Sequence, residues 1–194
     1  MVLYFSLIFF FMALISLINI LCSVASWYYV IIAVVWCTAF QFLTDGLGAM
    51  LVHKLPDRWF SVDNAHFTVS KRAVRFYEKL GVRKWKDKVW ELGGMGGFSK
   101  NKIAEPNNPE YFEQFIIECN KGVVNHRISY FTGFLDVFIL PFSYALSIAV
   151  PVAVVNALLN MLPTIILRYN VPKLTAVRNR LLKIQQRQKS AVNE

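Results

Sequence analysis

The chain has 194 residues, 56% of them hydrophobic, with 21 Lys and Arg, 12 Asp and Glu, and three cysteines. Residues 1–44 and 137–167 contain no charged side chain, and every basic residue lies within 54–127 or 168–189. Such segregation excludes a disordered chain, a water-soluble globule and a secreted disulfide scaffold. The composition therefore predicts an all-α integral membrane protein whose first partner is the lipid bilayer.

Residues 1–51 predict two transmembrane helices. A span needs about 20 apolar residues as helix, and residues 2–24 meet this with Asn19 and a few serines as their polar side chains. A cleaved signal peptide would begin with basic residues and have a shorter apolar region, so we interpret this segment as a retained anchor. The second span begins at Trp27, and its polar end carries Asp45, which we expect at the membrane interface rather than in a proton path.

Residues 128–167 predict a transmembrane hairpin. They contain one charge, Asp136, and as a single helix they would be ~60 Å long, twice the thickness of the hydrocarbon core. The available helix breakers are Gly133, Pro141 and Pro151. We expect short spans at about 128–146 and 148–167, although one of them could instead be re-entrant.

The distribution of basic residues predicts the orientation. Lys and Arg favour the cytoplasmic side of a membrane, and the polar break before Trp27 has neither. Four spans with cytoplasmic N- and C-termini place both basic segments inside. We therefore predict a multi-pass protein of the cell membrane.

Residues 52–127 predict a cytoplasmic or interfacial basic segment with a Gly-rich loop and a helix. Basic and aromatic residues alternate over 71–92, which is typical of an amphipathic element in the headgroup layer. Nucleic-acid binding uses similar residues, but the flanking spans favour the membrane, so no nucleic-acid partner is predicted. The glycines at 93–97 precede Lys100, and such a loop can bind phosphate or simply turn.

Residues 168–194 predict a basic amphipathic helix. Leucines and other aliphatic residues alternate there with Arg and Lys. We expect this tail to be attracted to anionic lipid at the membrane surface.

The sequence contains few groups that could perform chemistry. It lacks Gly-x-Ser-x-Gly, Cys-x-x-Cys and His-Glu-x-x-His, so neither a serine hydrolase, a metal nor a cofactor is predicted. His53 and Asp57 are one residue too close for the His-x4-Asp pattern of lipid acyltransferases. His126 is a candidate general base. Glu118 lies eight residues before it, about 12 Å along a helix, so the two can touch only if the helix bends near Gly122.

Several short motifs, in this order, resemble one family of membrane enzymes. They are Leu55-Pro56-Asp57, Val82-Arg83-Lys84-Trp85-Lys86-Asp87, Gly96-Gly97-Phe98-Ser99-Lys100, Glu118 with Lys121-Gly122 and His126, Asn160 with Pro163, and Arg168-Tyr169-Asn170 with Leu174. The family is that of glycosyl-4,4'-diaponeurosporenoate acyltransferase, of the staphyloxanthin pathway. The resemblance covers about residues 50–176, and the first span resembles an addition to it.

The resemblance implies transfer of a fatty-acyl group from acyl-CoA or acyl carrier protein to a hydroxyl of a membrane glycolipid, such as a glycosyl carotenoid. His126 would then be the general base, and Glu118 would orient an imidazole or bind sugar hydroxyls. The implied substrate-binding residues are Arg83, Lys84, Trp85, Lys86, Asp87, Lys100, Asn160, Arg168 and Asn170. Among these, the basic residues at 83, 84, 86 and 100 would hold donor phosphate.

Three positions depart from the family pattern, and they keep other functions open. Val123 stands where the family has an acid, Arg127 where it has Trp, and Cys119 where it has Thr. The alternative is a non-catalytic membrane subunit that docks a partner or anionic lipid through its basic aromatic face. A membrane enzyme of another type, such as a lipid methyltransferase or reductase, is a third reading.

Overall fold

The computed structural model describes residues 2–89 and 103–192, and within these ranges it is helical without strands. The α-helices are α1 (Val2–Leu21), α2 (Trp27–His53), α3 (Lys71–Lys79), α4 (Val82–Trp85), α5 (Pro109–Thr132), α6 (Asp136–Ile139), α7 (Phe142–Tyr144) and α8 (Val150–Val192). Shorter 3₁₀ turns cover Asp57–Phe60, Ala65–Phe67, Lys86–Lys88 and Gly133–Leu135, and a π-helical turn covers Ala145–Ala149. The all-α prediction is confirmed. The Gly-rich loop at 93–97 and Lys100 lie outside the described residues.

Three helical stretches of the described chain are long and apolar enough to cross a membrane. They are Tyr4–Leu21, Trp27–His53 and Phe142–Ala191. The predicted third span, over about 128–146, is not one helix in the structure, because it is divided between the end of α5 and the short elements that follow it. α5 already starts at Pro109, and the chain reverses at Leu140 and Pro141. Pro141, one of the three predicted breakers, thus ends the helix earlier than we expected.

Helices α2, α5 and α8 form the centre of the bundle. Glu113 contacts Arg178 near the start of α5, and Ser129 accepts a hydrogen bond from Asn156 near its end, so α5 and α8 are antiparallel. α2 is antiparallel to α5 as well, since Gln41 reaches the backbone of Gly133. We call the end of the bundle where α2 stops and α5 starts the basic end. Lys54 directly follows α2 there, and Arg168, the first basic residue of α8, lies toward the same end.

Polar side chains hold the chain reversal at the opposite end. Asp136 is fully buried, and one of its carboxylate oxygens accepts a 3.0 Å hydrogen bond from Gln41 of α2. A π-helical turn leaves backbone carbonyls without their usual partners, and Asn19 of α1 donates to one of them, on Ser147, at 2.9 Å. Asn19 of α1 and Gln41 of α2 therefore stabilise the chain reversal through side-chain hydrogen bonds inside an apolar core.

The basic end carries the short helices α3 and α4. Ser70 caps α3 by accepting a hydrogen bond from the Ala73 amide at 3.2 Å. Gly81, the predicted break, separates α3 from α4 with a φ of 67°, a backbone conformation that glycine adopts without strain. Val82 then packs, fully buried, against Tyr169 of α8.

All three predicted segment boundaries fall inside helices, and the one at 51/52 lies in the last turn of α2. The boundary at 127/128 lies within α5, and the boundary at 167/168 lies within α8, which continues as helix through Pro163 and Pro172. Each proline removes one backbone donor but does not end the helix. The C-terminal tail is therefore a direct continuation of the last apolar helix.

Candidate active site

His126 lies where α2, α5 and α8 meet, nearly two turns before α5 ends at Thr132. Its Nδ1 is 2.8 Å from Oδ1 of Asn160, and the amide of Asn160 in turn donates to Oδ2 of Asp45 at 3.3 Å. Asn156, one turn earlier on α8, also accepts from that amide, at 3.0 Å. Three helices thus contribute one polar network around a single imidazole.

The network determines which nitrogen of His126 carries the proton. Carboxylate and amide oxygens on Asp45 and Asn156 can only accept hydrogen bonds, so the NH₂ group of Asn160 faces them and its carbonyl oxygen faces His126. Nδ1 must then be the donor to that oxygen, which leaves Nε2 unprotonated in the neutral ring. An imidazole oriented in this way can accept a proton through Nε2.

The surroundings of His126 favour its neutral form. Burial lowers the pKa of His126, while the hydrogen bond to Asn160 and the charge of Asp45 oppose this shift. Since the ordinary value is about 6.5, the ring is neutral at pH 7. The side chain is half-buried, so the base is shielded from bulk water without being sealed.

Two oxygens beside the network have no hydrogen-bond partner within the described residues. They are Oδ1 of Asp45 and Oδ1 of Asn125, both buried. A buried acceptor without a donor lowers the stability of the fold by about 1–3 kcal/mol. Such acceptors occur at sites where a bound ligand supplies the donor. A Cβ at Gly48 would lie 2.8 Å from the Asn125 oxygen, so the glycine leaves room for that group.

A crevice between α1, α2 and α8 borders the same network. Asp45 and Asn156 belong to its polar side, with Thr38 and Gln41. Its other lining residues are Tyr4, Ile8, Met12, Phe42, Val152, Val155 and Leu159. The crevice combines an apolar wall with hydrogen-bonding groups, and its cavity volume of about 30 Å³ is room for about one water molecule.

Glu118 belongs to a separate cluster nearer the basic end. One of its oxygens lies 3.3 Å from Nδ1 of His53, and the other lies 3.4 Å from Nζ of Lys121. Lys121 also pairs with Asp57 at 2.6 Å. The predicted partners Glu118 and His126 are therefore not brought together, since α5 does not bend between them; Glu118 contacts the imidazole of His53 instead.

Lys121 is the buried member of this second cluster. Its side chain is 6% exposed, whereas that of Asp57 is 52% exposed. Burial disfavours the ammonium charge, but the hydrogen bond to Asp57 and the charges of Glu118 and Asp57 outweigh it and raise the pKa of Lys121. His53 and Asp57 are the exposed members of this cluster, and the ion pair of Glu118 and Lys121 lies beneath them.

Two of the predicted substrate-binding residues, Arg83 and Arg168, contact the hydroxyls of Tyr169 and Tyr77. Nε of Arg83 donates to the Tyr169 hydroxyl at 2.8 Å, and Nε of Arg168 donates to the Tyr77 hydroxyl at 3.3 Å. Arg83 also pairs with Glu78. Helix α4 thus brings Arg83 against α8, and α3 places Tyr77 beside Arg168, which belongs to α8 itself.

The remaining predicted residues are more dispersed. Lys84 is exposed, Lys86 lies 3.5 Å from Asp87, and the Trp85 indole donates to the Leu80 carbonyl at 3.1 Å. Asn170 is half-buried on α8. No group of three or more His, Cys, Asp or Glu within residues 2–89 and 103–192 could hold a metal ion.

Comparison with known proteins gives one match. The sequence profile of the family described as glycosyl-4,4'-diaponeurosporenoate acyltransferase matches residues 56–180, more than half of the chain. The chain belongs to this family. No curated protein and no solved structure matches it. The predicted resemblance is confirmed, and the family assigns an acyltransferase role in general terms.

The matched range divides the network around His126. It includes the residues that α5 and α8 contribute, but α1 and α2, with Asp45 and Gly48, precede it. Sequence reasoning selected His126 and Asn160 separately and treated Asp45 as an interfacial charge. A signal was present, since Asp45 is the first charged residue of the chain and follows a long apolar run.

Proposed function

We propose that this protein transfers a fatty-acyl group from a thioester donor, acyl-CoA or acyl carrier protein, to a hydroxyl of a membrane glycolipid. Family membership supports the reaction class. The observation that carries the mechanism is the 2.8 Å hydrogen bond between His126 and Asn160. It holds the imidazole with Nε2 free, as a general base for a hydroxyl requires.

The level of His126 along the bundle supports a lipid acceptor. From Trp27 to Asp45, α2 rises about 27 Å, close to the ~30 Å thickness of a hydrocarbon core. An imidazole beside Asp45 would then lie at the boundary between acyl chains and headgroups. The headgroup hydroxyls of a glycolipid occupy this boundary.

In the proposed reaction His126 acts first as a general base and then as a general acid. Nε2 of His126 takes the proton of the acceptor hydroxyl while the oxygen attacks the thioester carbonyl carbon. The carbon–sulfur bond then breaks, and the imidazolium returns the proton to the departing thiolate. Asn160, through its contact with Asp45, steadies the positive charge that His126 carries between these steps.

The basic end would bind the polar parts of the substrates. Arg83, Lys84 and Lys86, with Lys100, would hold donor phosphate, assisted by Trp85 and Asp87. Glu118 with His53 offers acceptors and a donor to sugar hydroxyls, and Arg168 with Asn170 would complete the site from α8. Fourteen basic residues within 54–127 make this side attractive to anionic donors.

The positive-inside rule supports a cytoplasmic basic end in the cell membrane. α1 and α2 are antiparallel, since Tyr4 and Asp45 line one crevice, so the N-terminus would share this side with the end of α8. Acyl-CoA and acyl carrier protein are cytoplasmic donors, which fits that orientation.

Lipid mass spectrometry tests the proposal. Cells with the protein should contain a glycolipid that carries one more fatty-acyl group than in cells without it, and His126→Ala should abolish this species. The matched control is His66→Ala, because His66 is exposed in a 3₁₀ turn. Full activity of the folded His126→Ala variant would remove His126 from the mechanism, and an unchanged lipid profile would favour the docking-subunit alternative.

A further inference from the structure

The C-terminal part of α8 carries basic and aliphatic residues on one exposed face. Lys173, Val177, Arg180, Ile184 and Arg187 are all exposed, and their spacing of four, three, four and three residues places them on one side of a helix. We call them the basic stripe. α8 contains no Asp or Glu, so no carboxylate of its own helix neutralises the stripe.

A second face of this part of α8, about 100° around the helix from the basic stripe, is already occupied. Leu174 and Leu181 pack against the apolar cluster of α5 that contains Phe112 and Phe115. Arg178 pairs there with Glu113 at 2.7 Å. These contacts orient α8 and leave the basic stripe as the side that faces away from the bundle.

The same contacts determine the direction of α8. The helix is 43 residues long, about 64 Å, which is twice the hydrocarbon thickness. It still runs beside α5 at Arg178 and Leu181, well past Arg168, the first basic residue on it. The tail therefore continues α8 alongside α5, away from the apolar part of the helix.

We infer that the basic stripe docks the acyl donor as a protein, an acidic acyl carrier protein, rather than as free acyl-CoA. This inference rests on the proposed function, because it assigns the donor for that reaction. Alternating cations and aliphatic side chains suit an acidic amphipathic helix, which offers carboxylates and an apolar ridge at the same spacing.

A second copy of this chain fits the stripe poorly. Two such helices side by side would place Arg180 and Arg187 against like charges, which opposes association. A membrane surface fits poorly as well, since the stripe extends about 21 Å along α8 from Lys173 to Arg187, away from the apolar part of that helix. The charge and the direction of the helix together favour an acidic protein in the cytoplasm.

Arg187 and Lys189 provide a matched pair of variants. They are two residues apart and therefore about 160° apart around α8, so Arg187 lies on the stripe and Lys189 lies behind it. Arg187→Glu and Lys189→Glu change the net charge equally. Both residues are exposed, so neither change removes a packing contact.

The experiment measures binding of palmitoyl-loaded acyl carrier protein to the full chain in phosphatidylcholine nanodiscs. We expect Arg187→Glu to raise Kd about tenfold and Lys189→Glu to raise it less than about twofold. The Kd of the unaltered chain should also rise with salt. Absence of binding, or equal loss in both variants, would overturn the inference.

Two further readouts separate the inference from the proposed function. Vesicles containing phosphatidylglycerol should bind Arg187→Glu and Lys189→Glu alike; a defect confined to Arg187→Glu would assign the stripe to lipid and overturn the inference. Acyl transfer is measured on phosphatidylcholine nanodiscs that also contain a glucosyl diacylglycerol as the acceptor. Transfer from palmitoyl-CoA without carrier-protein binding would overturn the docking alone, whereas stripe-dependent binding without transfer from either donor would support the docking and count against the proposed function.

Discussion

The charge of Asp45 should contribute to catalysis although this residue does not touch the imidazole. Asn160 stands between them, accepting from Nδ1 of His126 at 2.8 Å and donating to Asp45 at 3.3 Å. Asp45→Asn keeps the size of the side chain and removes the charge. We expect the variant to fold and to transfer acyl groups more slowly.

The expected magnitude follows from the geometry. The carboxylate and the imidazole are about 8 Å apart across the bridging amide, and at an effective dielectric constant of about 20 unit charges at this distance attract by about 2 kcal/mol. Losing that attraction for the imidazolium lowers kcat about 30-fold. Complete loss of activity would instead indicate that Asp45 touches the substrate.

The pH profile supplies a second readout for Asp45→Asn. Burial lowers the pKa of His126, and the negative charge of Asp45 raises it. Activity requires the neutral base, so kcat/KM rises as the pH rises through this pKa. Without the carboxylate the pKa falls further, and the acidic limb of the profile should move to lower pH.

Acyl transfer in nanodiscs, measured from pH 5 to 8, checks both effects. Asp63→Asn is the control, because Asp63 is an exposed carboxylate outside the network. Unchanged kcat and an unchanged acidic limb in Asp45→Asn, together with an inactive His126→Ala, would refute the coupling through Asn160.

Three further predictions concern stability and topology. Gln41→Leu removes the amide that donates to the buried Asp136 carboxylate and should lower the free energy of unfolding by about 1–3 kcal/mol. The double variant with Asp136→Leu should lose less stability than the two single variants together. Additive losses in thermal unfolding would contradict the pairing. Lys121→Met should cost about 1–2 kcal/mol, because its two carboxylate partners lose their cation yet retain access to water; an unchanged melting temperature would argue against the cluster. Lys183→Cys, in a background without the native cysteines, should react with membrane-impermeant maleimide only from the cytoplasmic side; labelling of intact cells from outside would reverse the proposed orientation.

The sequence predicted helices and apolar segments well because both depend on local composition. The first two apolar helices and the reversal after residue 128 follow from charge-free runs and prolines. The exact position of the reversal does not, because Gln41 and Asn19 bind it from distant helices. Proline content also misled at Pro151, a predicted breaker that lies in the first turn of α8 and does not interrupt the helical stretch Phe142–Ala191.

The candidate site was only partly predictable for the same reason. His126 and Asn160 could be selected as rare polar residues in or beside apolar helices, but spacing along α5 suggested Glu118 as the partner of His126. A rise of about 12 Å separates the two on a straight helix, and each imidazole takes its partner from another element. Packing between helices places His53 beside Glu118 and Asn160 beside His126. Residue spacing within a single helix does not reveal these pairings.

This separation gives the two clusters different chemical settings. Glu118 and Lys121 carry charges close to exposed His53 and Asp57, where water and salt weaken every electrostatic effect. His126 is shielded by three helices, and its partners are a neutral amide and a single carboxylate behind it. A positive charge on His126 is therefore stabilised by the hydrogen bond to Asn160 and by the charge of Asp45. For this reason, substitution of His126 should affect the rate constant of acyl transfer, and substitution of His53 should affect mainly the affinity for a polar headgroup.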